Sequence, residues 1–243
     1  MQPIETPRAL IDRVYEQLVE AIADGTLAPG QRVRQEELGR FLGVSRQPIS
    51  HALQMLKQQK LLAEAGRRGL VVSGIDAERI RELYDVRSAL DGLAARLAAE
   101  RVALRAADPR LRRTAQRALA AGLALGPDAP VLAFIQADVA YHTAIYRLSG
   151  NSALEETVTA QWPHLKRSMG AVLSDAEQRP LVWAEHGEIL RLVLAGDAEG
   201  AEHAACHHTE RAGAETARRL RQLFLHPGGK RDGADGPAAS RFR

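Results

Sequence analysis

The stretch EELGRFLGVSRQPISHALQMLKQQKLL, residues 36–62, constrains this chain more than any other. Leu38, Phe41 and Leu42 share one face of a short helix, Gly43 supplies a turn, and Ser45 is placed to cap a second helix. Pro48 falls in the first turn of that helix, where its missing N–H costs little. Ile49, Ala52, Leu53 and Leu56 form the apolar face, so Arg46, Gln47, Ser50, His51 and Gln54 point away from it. Two helices joined by a tight turn, the second with a bare polar face, make a helix-turn-helix sized for a DNA major groove. An ordinary αα-hairpin with a solvated face shares the local pattern, and the flanks distinguish the two.

Upstream, Leu10, Val14, Leu18, Ala21 and Ile22 repeat at helical spacing until Gly25 and the Pro29-Gly30 turn. Downstream, LLAEAGRRGLVV reads as two short strands joined by a turn from Gly66 to Gly69, with Arg67 and Arg68 at its tip. Guanidiniums there suit phosphates or the minor groove. Helix, turn, helix and wing, in that order, resemble the N-terminal domain of GntR-type transcription regulators. The resemblance implies that Arg46, Gln47 and the wing residue Gly69 contact DNA. The chain departs from the family pattern at Ser50 and His51, where relatives usually carry arginine and glutamate. Ser50 cannot make the bidentate guanine contact of an arginine, so the operator of relatives is not expected here.

Length admits two domains, each with its own core. We expect a winged helix-turn-helix in residues 1–74, an all-α helical bundle in 76–225 and a disordered tail in 226–243, a mostly α protein. The 33 basic and 30 acidic side chains leave a net charge of only +3, so DNA affinity must come from a local patch. Cys206 is the single cysteine, which excludes an internal disulfide framework and fits a reducing, cytoplasmic compartment. No apolar run reaches the length of a membrane span, and no signal-peptide core opens the chain.

After a boundary at residues 73–76, six helices are expected. Asp76 caps the first, Asp108-Pro109 opens the second, and the third runs from about Val131 to Leu148, closed by Gly150. Ser152 with Glu155 forms a capping box for a fourth, which Pro163 kinks or ends. Pro180 begins the fifth, and Asp197 caps a sixth that ends near Leu225.

Placing side chains at 100° per residue exposes polar groups on apolar faces. Asp138 and His142 fall amid Val131, Phe134, Ile135, Tyr141 and Ile145, and His186 lies amid Trp183, Ile189 and Leu190. His208 edges the small-residue face Ala201, Ala205, Ala212 and Thr216, while His203 and His207 point the other way. Singly, such residues are commonly hydrogen-bonded core groups. Together, three histidines and an aspartate are the ligand inventory of a divalent-metal site, and a metal would neutralise the buried carboxylate. Arg87 sits within the stripe of Ile80, Leu83, Tyr84 and Leu90, either paired with Asp91 or turned toward an anionic ligand.

The segments DVAYHTAIYRLSGN, EHGEIL and GDAEGAEHAACHH resemble the effector (FCD) domain of FadR-like GntR regulators, and the helix count resembles the shorter VanR-like variant. The resemblance implies metal ligands at Asp138, His142, His186 and His208, with Arg87 facing the effector cavity. Zinc, nickel and manganese all suit mixed oxygen and nitrogen ligands. The function expected is that of a homodimeric, metabolite-responsive regulator that binds a pseudo-palindromic double-stranded operator and a small organic acid. The alternative is a metal-dependent hydrolase carrying a DNA-binding module, disfavoured because Glu185 and Glu188 fall off the inner helix face.

Overall fold

The computed structural model describes residues 8–225 except 67 and 68. The chain divides at Ile75–Asp76 into two compact units. The expected tail, 226–243, and the wing-tip residues Arg67 and Arg68 lie outside the described residues.

The first unit holds α1 (Arg8–Ala23), β1 (Arg32–Val33), α2 (Gln35–Leu42), α3 (Arg46–Gln58), β2 (Leu62–Ala65) and β3 (Gly69–Val72). Val14, Leu18 and Ile22 of α1 close on Leu38 of α2 and on Ile49, Leu53 and Leu56 of α3. Phe41 is 57% exposed, against the expectation that it joins this face. Leu38 and Leu42, four apart, supply the inner ridge of an eight-residue helix, and Phe41 is left outside it. Gly43 ends α2 in the left-handed region, with φ 66°, a conformation costly for any side chain. Ser45 stands at the N-cap of α3 with extended backbone, but its hydroxyl makes no capping bond. The helix starts without one because Pro48, buried at its third position, removes an orphan N–H.

The two wing strands form as expected, pairing Leu62 with Val72 and Ala65 with Gly69. A third strand, β1, was not expected; it pairs with β3 through Arg32–Val71 and Val33–Leu70, giving the order β1-β3-β2. Two residues are too short to display a period.

The second unit comprises α4 (Ala77–Ala103), α5 (Pro109–Leu123), α6 (Val131–Ser149), α7 (Ser152–Thr159), α8 (Trp162–Leu173), α9 (Gln178–Ala195) and α10 (Ala198–Leu225). These are seven helices among the described residues, not six. The expected fourth helix is broken, because Pro163 sits at the start of α8. Continuing α7 through it would delete one backbone hydrogen bond and drive the pyrrolidine into the preceding carbonyl. Asn151, rather than Ser152, caps α7 by accepting from the Ala153 amide. Asp76 and Asp108 cap α4 and α5 as expected, and Asp197 accepts from Gly200 N at 3.0 Å at the start of α10.

Helix α4 is the centre of this unit and packs against α6, α8, α9 and α10. Ala94, Ala95, Ala98 and Ala99 are fully buried, so neighbours approach its C-terminal half closely. Gly213 of α10 allows the same intimacy lower down. A Cβ there would stand 2.6 Å from Tyr84 Cβ.

Candidate metal centre and DNA-reading helix

Four helices send polar side chains into one point of the bundle. α6 contributes Asp138 and His142 one turn apart, α9 contributes His186, α10 contributes His208, and α4 contributes Arg87 and Asp91. All are buried, His186 completely. The ring nitrogens offered by His142, His186 and His208 lie within 4.8 Å of one another. His186 Nε2 is 3.1 Å from His208 Nε2 and 3.6 Å from Asp138 Oδ1, and His142 Nε2 is 3.8 Å from Asp138 Oδ2. His203 and His207 are exposed, as the spacing predicts.

The electrostatics favour neutral imidazoles beside a cation. Burial holds His142 and His186 well below the usual histidine range, and Arg87 and the neighbouring imidazoles add to the effect. Burial raises the Asp138 carboxyl, while Arg87 and His208 pull it back. For Arg87, burial opposes the charge, but Asp91 outweighs it and the guanidinium pKa is raised. Asp138 Oδ2 and His142 Nε2 are buried with no hydrogen-bond partner among the described residues. Unmet buried acceptors are costly, and these converge from adjacent turns of one helix.

Arg87 pairs with Asp91 and also faces Asp138. Its Nε lies 3.2 Å from Asp91 Oδ2, and its Nη2 4.0 Å from Asp138 Oδ2. The guanidinium also sits over Trp162, 5.0 Å from the ring. Paired as it is, Arg87 still lines a cavity with Asp138, His208, Met169 and Thr216. That cavity has a volume of about 30 Å³. It takes a water-sized guest and nothing much larger.

Sequence reasoning missed the supporting ring. Glu185, expected to face away, has a side chain only 17% exposed and accepts from His208 Nδ1 at 2.7 Å. Arg211 grips the same carboxylate with Nε and Nη2, each at 2.6 Å. Burial works against the charge, but these donors outweigh it and bring Glu185 down to about 2. An ionised carboxylate only accepts, so His208 donates from Nδ1 to Glu185 and points Nε2 toward the cluster. Asp91 stands similarly 3.5 Å from His142 Nδ1 and is itself held by Tyr146 and by Thr209 Oγ1 at 2.7 Å. The signal for Glu185 was the pairing of His208 with Arg211, three apart on α10 and able to reach one carboxylate together.

In the first unit, Arg46, Gln47 and His51 are exposed along α3, and Ser50 is half-buried between them. Ile49, Ala52, Leu53 and Leu56 are buried on the opposite side. Gly69 begins β3, and a Cβ there would meet Ala65 O at 2.6 Å and Arg32 Nη2 at 2.9 Å, so the wing requires glycine at this point for packing alone.

The sequence profile of the gntR family of bacterial regulatory proteins matches residues 10–72, and that of the FCD domain matches residues 82–211. The chain belongs to the GntR family. A probable D-xylose utilization operon transcriptional repressor from Paenarthrobacter nicotinovorans is 31% identical over 84% of this chain and 87% of its own. The HTH-type regulator YdhC of Bacillus subtilis is 33% identical over 94 residues, 39% of this chain and 42% of that one. Among solved structures, E. coli McbR/YncC superposes with a TM-score of 0.74 at 21% identity, over 88% of this chain and 98% of the other, which speaks for the fold alone. The regulator therefore binds DNA and carries an effector domain, and its relatives are regulators and not enzymes. The hydrolase alternative falls with that, and both further acidic groups beside the histidines are occupied, Glu185 by His208 and Arg211 and Asp91 by Arg87, Tyr146 and Thr209. No described helix is long and apolar enough to cross a membrane.

Proposed function

We propose that this regulator is a cytoplasmic homodimer that reads a pseudo-palindromic double-stranded operator and responds to a small organic acid at a divalent-metal centre. The observation that carries the metal is the convergence of buried Asp138, His142, His186 and His208, with His142 and His186 held well below the usual histidine range by burial and Asp138 Oδ2 and His142 Nε2 without a hydrogen-bond partner among the described residues. These four side chains would hold the ion, and zinc, nickel or manganese suits them. When bound, the ion supplies a Lewis-acidic point that a carboxylate recognises. Glu185 and Asp91 orient the imidazoles, and Arg87, fixed by Asp91, supplies a second positive charge to the same cavity.

Arg46, Gln47, Ser50 and His51 would face base edges in the major groove, with Gly69 and the wing-tip Arg67 and Arg68 along the backbone. One recognition helix spans few base pairs, so a two-fold pair doubles the reading. The narrow cavity has a consequence for signalling. An organic acid enters only if side chains such as Met169 move, and the effector selects a conformation of the helical unit that has made room. Arg87→Ala tests this reading. The expected protein keeps its metal and its operator affinity but no longer changes that affinity when effector is added. Loss of metal in Arg87→Ala would mean that the arginine supports the cluster rather than the ligand.

A further inference from the structure

A second cavity opens in the helical unit away from the polar cluster. Its volume is about 400 Å³, in the range of small-molecule sites. Gly122 and Leu123 at the end of α5, Leu125 beyond it, Phe134 of α6 and Trp183 of α9 supply apolar walls, and Arg179 stands among them. The Trp183 indole lies flat on Gly122, where a Cβ would come within 2.0 Å of the ring. Its buried N–H has no acceptor among the described residues. Buried indole N–H groups ordinarily find one.

The single charge in this wall is also incompletely used. Arg179 stacks on Phe134 at 4.2 Å, and its Nε and Nη1 donate to Leu173 O at 2.8 Å and Pro127 O at 2.7 Å. Those bonds fix the guanidinium in place and leave Nη2 without a partner among the described residues. An apolar chamber with two aromatic walls and a rigid cation suits a flat, ring-sized hydrocarbon body ending in an oxyanion. From this we infer that the cavity between α5, α6 and α9 binds a small aryl or alicyclic carboxylate, at a site separate from the histidine cluster. The ring would lie between Phe134 and Trp183, and the carboxylate would accept from Arg179. The edge of Trp183 meets His186 with centroids 4.9 Å apart, so a guest here packs against the same side chain that packs against the cluster.

Ligand-observed NMR titration of the full chain tests the site with three probes of one shape: phenylacetate, 2-phenylethanol and 2-phenylethylamine. Phenylacetate should saturate, and the amine should bind at least about tenfold more weakly. Arg179→Gln should bring phenylacetate down to the level of the alcohol. Ala184→Phe should fill the chamber and abolish binding. Leu123→Trp, at a position 59% exposed and therefore tolerant of bulk, should obstruct the mouth if the first variant misfolds. Treatment with EDTA should leave phenylacetate binding intact. Failure of phenylacetate to saturate, equal binding of the amine, or retained binding in the obstructed variants overturns the inference. So does loss of binding on chelation, which would place the carboxylate at the histidine cluster instead.

Discussion

His186 and His208, from α9 and α10, face each other Nε2 to Nε2 at 3.1 Å in a fully buried pocket. Two imidazolium ions could not share that geometry. Burial accordingly keeps His186 well below the usual histidine range, and the charge of His208 is the next contributor. His142, stacked on His208 with centroids 5.6 Å apart, is lowered in the same way.

The pH dependence follows with a definite sign. A histidine whose folded pKa is depressed binds fewer protons folded than unfolded, so its contribution is whole above the unfolded value of about 6.5 and is lost as pH falls below it. Asp138, raised by burial, acts in the opposite sense, favouring the folded state at low pH and losing that advantage as pH rises above the ordinary carboxylate value. Two imidazoles stand against one carboxyl. We expect the metal-free protein to melt at a lower temperature at about pH 5 than at about pH 7, and a bound metal to be released over the same interval, because ligating imidazoles must be neutral. Thermal unfolding of chelator-treated protein at the two pH values checks the first expectation. An equal or higher Tm in acid contradicts it.

Glu185 aims His208 without touching the proposed ion. Glu185→Gln preserves shape but removes the charge that holds Nδ1–H and Arg211, so metal affinity should fall about 10–100-fold while the fold persists. Zinc competition against a chromophoric chelator measures this. Unchanged affinity would show that His208 keeps its orientation without Glu185.

Arg46 lies on the exposed face of α3, opposite the buried Ile49, Ala52, Leu53 and Leu56. Arg46→Ala should weaken binding to the true operator by about 1–3 kcal/mol and relax its sequence preference. Competitive binding against scrambled duplex separates specific from general loss. Wild-type affinity and preference in this variant would show that α3 does not read the groove through Arg46.

How much of this was legible in the sequence differs by element. The burial of Asp138, His142, His186 and His208 was readable because helical spacing marks a polar residue amid apolar ones, and the exposure of His203 and His207 followed from the same angles. The wing strands were readable from their glycine-bounded turn. β1 was not, since its two residues pair only when β3 is present, a contact between distant parts of the chain. The break between α7 and α8 was foreshadowed by Pro163, but whether a proline bends or ends a helix depends on what the surrounding helices leave room for. Glu185 escaped because a carboxylate beside an inward histidine reads as solvated until its two partners on α10 are known.

The central claim is that the inward histidines, and not the outward ones, hold a divalent ion. Elemental analysis of purified His186→Ala and His207→Ala, alongside the unaltered protein, tests it most directly. The account predicts that His186→Ala loses most of its metal and melts at a lower temperature, because the ion links α6, α9 and α10. His207→Ala, altered at an exposed ring, should match the unaltered protein in both respects. Equal metal content in the two variants would contradict the account.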